Sequence, residues 1–157
     1  MSTGDVRSAS SPSVPRGQTK SALHEAITSN NLRTVMKLIA TNPNLLDERN
    51  EKQQTALHIA ALNNNSDILE WLLAARANRV LKSLLDINAV DCEGNSALHS
   101  ALSVPHLKPA LLLLKNDASP FLPNYFGRTA IFSFFLSAKH IAIDHIQVKT
   151  QINHNEI

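Results

Sequence analysis

The chain has 157 residues, of which 43% are hydrophobic and only 4% aromatic, and its formal net charge is +2. This length suits one ordinary domain, with a core of Leu, Ile and Ala rather than of rings. So small a net charge gives no reason to expect a nucleic acid or an anionic membrane as partner. Cys92 is the single cysteine, which excludes an intrachain disulfide and a cluster of thiolate ligands and favours a reducing compartment.

The ends of the chain carry no recognisable targeting or membrane segment. No apolar run is as long as a membrane span, and the amino terminus lacks the basic and then apolar pattern of a signal peptide. We therefore expect a cytoplasmic protein, with the nucleus as an additional location. Residues 1–19 are rich in Ser and Pro and poor in large apolar side chains, so we expect this tail to be disordered.

A short phrase recurs through the rest of the chain. It reads SALHEA from Ser21, TALHIA from Thr55 and SALHSA from Ser96, with a fainter copy, TAIF, from Thr129. These starts, at positions 21, 55, 96 and 129, are 34, 41 and 33 residues apart. A period near 33 predicts a stack of helical units. The phrase resembles the ankyrin repeat over residues 20–136, and the resemblance implies two helices and one finger-like turn in each unit.

The first unit opens at Ser21, whose hydroxyl is expected to cap a helix. A second helix is predicted to end at Asn42-Pro43, because proline cannot continue the helical hydrogen bonds. The finger turn that follows has Gln53 where ankyrin repeats usually have glycine, so we expect a looser turn there.

The second unit is longer than the others. Its 41-residue spacing exceeds 33 by 8 residues, approximately Ala77 to Leu84. Some helical spacing of apolar residues continues there and neither Gly nor Pro occurs, so we expect the helix to run past Arg76 by one or two turns. The surplus is either an added contact surface or an insertion tolerated in a loop, and we favour the insertion.

The third unit fits the repeat without a gap, and the fourth loses the pattern. Gly94 and Gly127 are predicted to supply the positive φ of two finger turns. Phe132 replaces the repeated histidine, and the apolar residues after Lys139 are β-branched and partly alternate. The predicted fold is an all-α ankyrin-repeat solenoid with units 20–54, 55–95 and 96–128, a partial unit 129–138, and a degenerate cap or frayed tail at 139–157.

Three histidines hold the same place in the repeated phrase: His24, His58 and His99. In ankyrin repeats this histidine bonds backbone groups of neighbouring fingers, together with the Ser or Thr three residues earlier. The resemblance therefore implies a structural role for Ser21, Thr55 and Ser96 as well. A metal site is the alternative, but ligands one repeat apart lie about 10 Å from each other, too far to share an ion bound at about 2 Å.

Enzymatic chemistry has little support in the sequence. Cys92 and His99 could in principle form a Cys-His nucleophile, but no third group is evident to orient the pair. No glycine-rich phosphate loop occurs. We therefore expect no catalytic residue, no cofactor, no metal ion and no small-molecule substrate.

The function implied by the resemblance is binding of a partner protein in the groove of the stack. The groove is formed by the fingers and the inner ends of the first helices, where side chains contact no core and are free to vary. The finger candidates are Glu51, Lys52, Gln54, Cys92, Glu93, Asn95, Tyr125, Phe126 and Arg128. The helix-end candidates are Thr28, Ser29, Leu62, Asn63, Ser103 and Val104. Tyr125 and Phe126 are the best anchor pair, since exposed aromatics dominate interface energies; the alternative is that they pack on the last unit.

Two stretches are also similar to the inhibitors of NF-κB, the IκB and cactus family. Asn50 to His58 reads NEKQQTALH, against N-x-x-Q-Q-T-P-L-H in that family, and Gly94 to His99 reads GNSALH, against G-N-T-P-L-H. This chain differs from that family in having fewer repeats, no Asp-Ser-Gly degron and no acidic C-terminal segment. The resemblance is therefore to the short IκB mimics of viral origin. Three hypotheses follow: a general protein-binding module, an IκB-like inhibitor that sequesters a Rel-homology transcription factor, and an adaptor for a multi-protein complex.

Overall fold

A computed structural model describes residues 21–136 as a series of short helices. In chain order they are α1 Ala22–Thr28, α2 Leu32–Thr41, the 3₁₀ helix Pro43–Asp47, α3 Ala56–Leu62, α4 Ser66–Ala75, α5 Arg79–Leu84, α6 Ala97–Leu102 and α7 Leu107–Lys115. Residues 130–136 are also helical. Extended pairing within 21–136 is limited to two isolated antiparallel bridges, Val90 with Ser96 and Pro123 with Thr129. The predicted all-α repeat fold is confirmed.

The predictions for the two tails, 1–19 and 139–157, lie outside the described residues. Within the described part of the chain, every helix is too short or too polar to cross a membrane.

The helices stack in two rows. The first helices of successive units, α1, α3 and α6, pack side by side, and α2, α4 and α7 form the second row. Each first helix also packs against the second helix of its own unit. The core lies between the rows, where apolar faces at helical spacing meet, and its large buried side chains include Leu23, Ile27, Leu57, Ile68, Leu69, Leu72, Leu98 and Leu113.

Small residues allow the first helices to approach each other. Ala56, Ala60 and Ala61 of α3 are buried, as are Ala97 and Ala101 of α6. The distance between packed helices depends on the side chains at the contact, so an alanine-rich face gives a thin, regular stack. This regularity sets the spacing of the fingers described below.

Asparagines separate the two helices of the first two units. Asn30 and Asn64 adopt positive φ values of 51° and 54°, a region that asparagine tolerates better than most residues. Asn31 then caps α2 by accepting a hydrogen bond from the Thr34 N–H at 3.0 Å. The buried Asn65 side chain donates to the Ile27 carbonyl, which ties the second unit to the first.

The surplus of the second unit is a separate helix, so the prediction that α4 continues past Arg76 is wrong. α4 ends at Ala75, and Asn78 starts α5 by accepting a hydrogen bond from the Val80 N–H at 2.9 Å. An asparagine side chain that satisfies a free N–H favours a new helix start over continuation.

The favoured hypothesis, that the surplus is an insertion tolerated in a surface loop, is also wrong. α5 packs against the 3₁₀ helix of the first unit. Leu81 and Leu84 are half-buried against the core, and Leu85 is fully buried directly after the helix. The insertion therefore enlarges the core across two units.

Candidate functional site

Three turns, called here the fingers, follow one design: residues 50–54, 91–95 and 124–128. In the second finger, Asp91 Oδ1 accepts hydrogen bonds from the N–H groups of Glu93 and Asn95, both at 2.9 Å. The Asp91 N–H donates to the Asn95 carbonyl at 2.9 Å. Asn50 and Asn124 make the corresponding bonds in the first and third fingers. Side-chain oxygens that accept from the backbone two residues later are typical of tight turns.

The fourth residue of each finger has a positive φ: 59° at Gln53, 78° at Gly94 and 71° at Gly127. The expectation of a looser first finger is wrong. The Gln53 N–H still donates to the Asn50 carbonyl at 2.8 Å. This bond involves only backbone atoms and requires a positive φ, which glutamine adopts at a higher conformational cost than glycine.

Backbone hydrogen bonds join the fingers into a ladder. The Cys92 N–H donates to the Lys52 carbonyl at 2.9 Å, and the Tyr125 N–H donates to the Glu93 carbonyl at 3.0 Å. Arg49 Nη1 adds a further link by donating to the Val90 carbonyl at 2.8 Å. The finger tips are therefore held at fixed separations before any partner binds.

Buried histidines support the second and third fingers from below. His58 Nδ1 accepts from the Thr55 N–H at 3.2 Å and hydroxyl at 2.8 Å, while Nε2 donates to the Asn95 carbonyl at 2.9 Å. His99 repeats this arrangement with Ser96 and with the Arg128 carbonyl. A backbone N–H can only donate and a carbonyl can only accept, so both rings are neutral with the proton on Nε2.

The surroundings of His58 favour this neutral form. Burial lowers the pKa of the His58 ring below its usual value, and the Asn95 carbonyl and the Asp91 charge oppose that change only in part. Protonation of Nδ1 would place a second donor against the Thr55 N–H. Acid should therefore weaken the link between α3 and the second finger.

His24 and Ser21 depart from the repeated arrangement. His24 is buried, and its Nε2 has no hydrogen-bond partner among residues 21–136. The Ser21 hydroxyl donates to the Glu48 carboxylate instead of capping α1, so the predicted cap is wrong. Burial lowers the pKa of His24, and the nearby Glu48 backbone and carboxylate oppose that change.

Most of the predicted finger positions lie at the surface. Gln54 and Asn95 are half-buried, and the other seven are exposed: Glu51, Lys52, Cys92, Glu93, Tyr125, Phe126 and Arg128. Gln54 Oε1 accepts from Asn50 at 2.9 Å, and Asn95 bonds both Glu93 and Asn124. These two side chains therefore brace the fingers and are the least available to a partner.

The predicted helix-end positions lie at or just after the last residues of α1, α3 and α6, in the first row. Four are exposed and two are half-buried; the exposed ones are Thr28, Ser29, Asn63 and Ser103, and the half-buried ones are Leu62 and Val104. None of the six carries a formal charge, so this part of the surface offers apolar contact and hydrogen bonds rather than ion pairs.

The third finger carries the largest exposed side chains. Tyr125 is 72% exposed and Phe126 is 68% exposed. Neither is buried against residues 129–136, the described part of the last unit, on which the sequence left open that they pack. Tyr125 lies over the second finger: a Cβ added at Gly94 would stand 2.7 Å from Tyr125 Cδ1. Sequence reasoning missed Phe121, which is 76% exposed; its signal was an aromatic in a loop between Pro120 and Pro123.

A metal site and a Cys92–His99 pair are the two chemical alternatives that the sequence raised. Residues 21–136 contain no group of three His, Cys, Asp or Glu side chains placed to hold a metal ion. Cys92 is exposed, whereas His99 is buried with both ring nitrogens hydrogen-bonded. His99 is therefore already engaged and does not activate the thiol.

A family model for ankyrin repeats, described as three copies, matches residues 6–82 and 23–124. The chain belongs to the ankyrin-repeat family. Ankyrin repeats are a protein–protein interaction module, so the general form of the predicted function is confirmed.

Curated relatives include two proteins named as the p105 subunit of nuclear factor NF-kappa-B. The NF-kappa-B p105 subunit of Rattus norvegicus is 31% identical over 128 residues, which cover 78% of this chain and 12% of that protein. The p105 subunit of Gallus gallus is 36% identical over 95 residues, 60% of this chain and 8% of that protein. The predicted weaker resemblance to NF-κB-related proteins is confirmed.

Two further comparisons show how widely the fold is used. Human neurogenic locus notch homolog protein 1 is 33% identical over 113 residues, 72% of this chain and 4% of that protein. A chain in the crystal structure of the yeast ribosomal protein Rps3 in complex with its chaperone Yar1 has 31% identity and a TM-score of 0.64, over 81% of this chain and 89% of that one. This chain thus spans 4–12% of the length of these curated relatives.

Proposed function

We propose that the protein binds a partner protein through the fingers and the exposed ends of the first-row helices. The observation that carries the proposal is the exposure of Tyr125 and Phe126 on a finger whose backbone is already fixed by hydrogen bonds. A rigid backbone lowers the entropy lost on binding. Exposed aromatics on such a support are the side chains that most often anchor interfaces.

The partner that we propose is a Rel-homology transcription factor, bound as an IκB-like inhibitor binds it. Support comes from the similarity to two p105 subunits and from the IκB-like stretch at 50–58. Two residues of that stretch stabilise fingers: Asn50 accepts a hydrogen bond within the first finger, and His58 donates one to the second. Glu51 and Lys52 lie exposed between them and are the side chains of this stretch most available to a partner.

An adaptor for several proteins is the competing function. An adaptor would bind unrelated partners at separate surfaces without competition, whereas a groove inhibitor would bind one class of partner at the fingers. We further infer that the protein does not act as an enzyme, in keeping with the engaged ring of His99 and the interaction role of the family.

Site-specific photocrosslinking tests the surface directly. A photoreactive amino acid at position 126 should form an adduct with a purified Rel-homology dimer. The matched control places it at position 37, because Lys37 is exposed on α2 in the second row. Equal adducts at both positions would contradict the finger surface, and no adduct at either position would contradict the Rel partner.

A further inference from the structure

The helix α7 carries apolar residues on two faces. Its inward face is buried and consists of Pro109, Ala110 and Leu113. On the other side, Leu107, Leu111 and Leu114 are 51%, 56% and 41% exposed. Residues separated by four and then three positions lie along one face of a helix, so these three leucines form a single outward stripe. Apolar residues on both sides are typical of a helix that is covered on both sides.

Stacking of repeat units does not account for the centre of this stripe. Leu111 holds the place of Glu70 in α4 and of Met36 in α2, and all three side chains are exposed. Glu70 is exposed even though α7 packs against α4. The position therefore faces outward in a unit that has a neighbour on each side, and a further unit stacked on α7 would not bury Leu111.

Two lysines border the stripe along one edge. Lys108 and Lys115 lie three residues before and four residues after Leu111, so both are neighbours of that leucine on the helix surface, and both are exposed. Lys108 Nζ lies 3.8 Å from Asp67 Oδ1 of α4, with both side chains largely exposed, which shows that this edge faces α4. An exposed ion pair of this kind is weak, so it leaves Lys108 available to a partner.

We propose that the stripe of Leu107, Leu111 and Leu114 binds an amphipathic helix of a partner protein, one with acidic residues beside its apolar face. Leucines at these spacings form the apolar seam between paired helices, and charged residues beside the seam determine which helix pairs with which. The acidic residues of the partner face Lys108 and Lys115. This surface lies in the second row of helices, and the proposal does not rest on the finger partner proposed above.

Charge favours this partner over a second copy and over a membrane. In a two-fold contact both copies use the same surface. With antiparallel helices the lysine edges of the two stripes would face each other and repel, and with parallel helices each lysine edge would face the uncharged edge at Ala110. An extended anionic membrane surface would also meet the exposed Asp67 and Glu70 of α4, whereas a single helix along the stripe meets the lysines first.

A designed helical peptide tests the stripe on the full chain. The probe is a fluorescent peptide with leucine at the a and d positions of each heptad and glutamate at e and g, where the glutamates oppose pairing of the peptide with itself. Its control has lysine in place of every glutamate. Fluorescence anisotropy should show saturable binding of the glutamate peptide and at least about tenfold weaker binding of the lysine peptide. Equal affinities, or no saturable binding of the glutamate peptide, would overturn the proposal.

Matched substitutions locate the binding. Leu111→Asp should weaken binding of the glutamate peptide at least about tenfold, because it places a carboxylate in the apolar stripe. Met36→Asp, at the same repeat position in α2, should bind the peptide as the parent does. Lys108→Glu together with Lys115→Glu should reverse the preference and favour the lysine peptide. Equal affinities of the two aspartate variants, or an unchanged preference of the double variant, would overturn the proposal.

Three further measurements distinguish the other possible occupants. Light scattering should show a monomer, and a dimer that Leu111→Asp dissociates would assign the stripe to a second copy. The thermal midpoints of Leu111→Asp and Met36→Asp should match, since both positions are exposed; a clearly lower midpoint for Leu111→Asp would mean that the chain itself covers the stripe. Vesicles of phosphatidylserine and phosphatidylcholine should not retain the protein on sedimentation, and retention that Leu111→Asp abolishes would assign the stripe to a membrane. Each of these three contrary results would overturn the proposal.

Discussion

At the scale of single residues, Gly94 and Gly127 hold the same place in successive fingers but have different surroundings. Their φ values are 78° and 71°. A Cβ at Gly94 would stand 2.7 Å from the Tyr125 nitrogen and from its ring, whereas nothing lies within 4 Å of a Cβ at Gly127. Only Gly94 therefore combines a strained backbone with a close neighbour.

The two glycines predict different costs for the same substitution. Gly127→Ala should lower the free energy of unfolding by roughly 1–2 kcal/mol, the cost of a left-handed conformation for a residue with a Cβ. Gly94→Ala should cost clearly more, because Tyr125 and its bond to Glu93 must also shift. Urea unfolding of the two variants measures the difference, and equal losses would contradict the packing described for Tyr125.

His58 predicts that acid destabilises the fold. The folded state lowers the pKa of His58, so below the ordinary value of about 6.5 the unfolded chain binds the proton more readily than the folded one. The free energy of unfolding should be constant above that value and should fall as pH drops towards the lowered pKa. His24, whose pKa is also lowered, should act in the same direction.

Urea unfolding between pH 8 and pH 5 checks this prediction. A His58→Asn variant should be less stable at pH 8 but should lose less on acidification, since one of the two contributing groups is absent. Stability that stays flat or rises as pH falls would contradict the neutral, buried state assigned to His58.

In the second and third units, the repeated phrase predicted the hydrogen bonds between residues three positions apart. Thr55 with His58 and Ser96 with His99 form the expected bonds. Ser21 and His24 carry the same phrase but face Glu48, which lies 27 residues from Ser21 along the chain. A contact of that separation is not contained in the phrase, so sequence reasoning assigned the wrong partner to Ser21.

At the scale of elements, α5 shows why an apolar pattern can predict a helix and still miss its boundary. The helical period of the second unit is compatible with one long helix or with two, and only the capping bond of Asn78 decides between them. Arg76 then ties the insertion to its surroundings by donating from Nε to the Leu85 carbonyl and from Nη1 to the Asn116 carbonyl, each at 3.2 Å.

Adjacent residues of α5 predict opposite outcomes for the same substitution. Leu81 is half-buried against the core, whereas Val80 is 64% exposed. Leu81→Asp should therefore cost roughly 1–3 kcal/mol of stability, since it buries a polar group without a partner. Val80→Asp should stay within about 0.5 kcal/mol of the parent. Thermal unfolding distinguishes them, and a silent Leu81→Asp would mean that α5 is a dispensable loop.

At the scale of the whole molecule, the period of the sequence predicted the architecture because each unit packs a similar apolar face against its neighbours. Stability in such a stack accumulates through contacts between neighbours, so small apolar residues at fixed spacing determine the fold. The partner is not predicted in this way. Side chains at the finger tips, such as Phe126, contact no core. Core packing therefore does not restrict which residues occur there, and the repeat pattern does not predict them.

The central claim is that the third finger anchors a protein partner, and the affinity for a purified Rel-homology dimer tests it most directly. Replacing Tyr125, Phe126 and Arg128 together by Ala should weaken binding at least about 30-fold, because one lost anchor commonly costs roughly 2 kcal/mol. The helical circular dichroism should not change. Replacing Met36 and Lys37, both exposed on α2, should leave the affinity at the parental value. No saturable binding by the parent, or a triple variant that binds as tightly as the parent, would contradict the account.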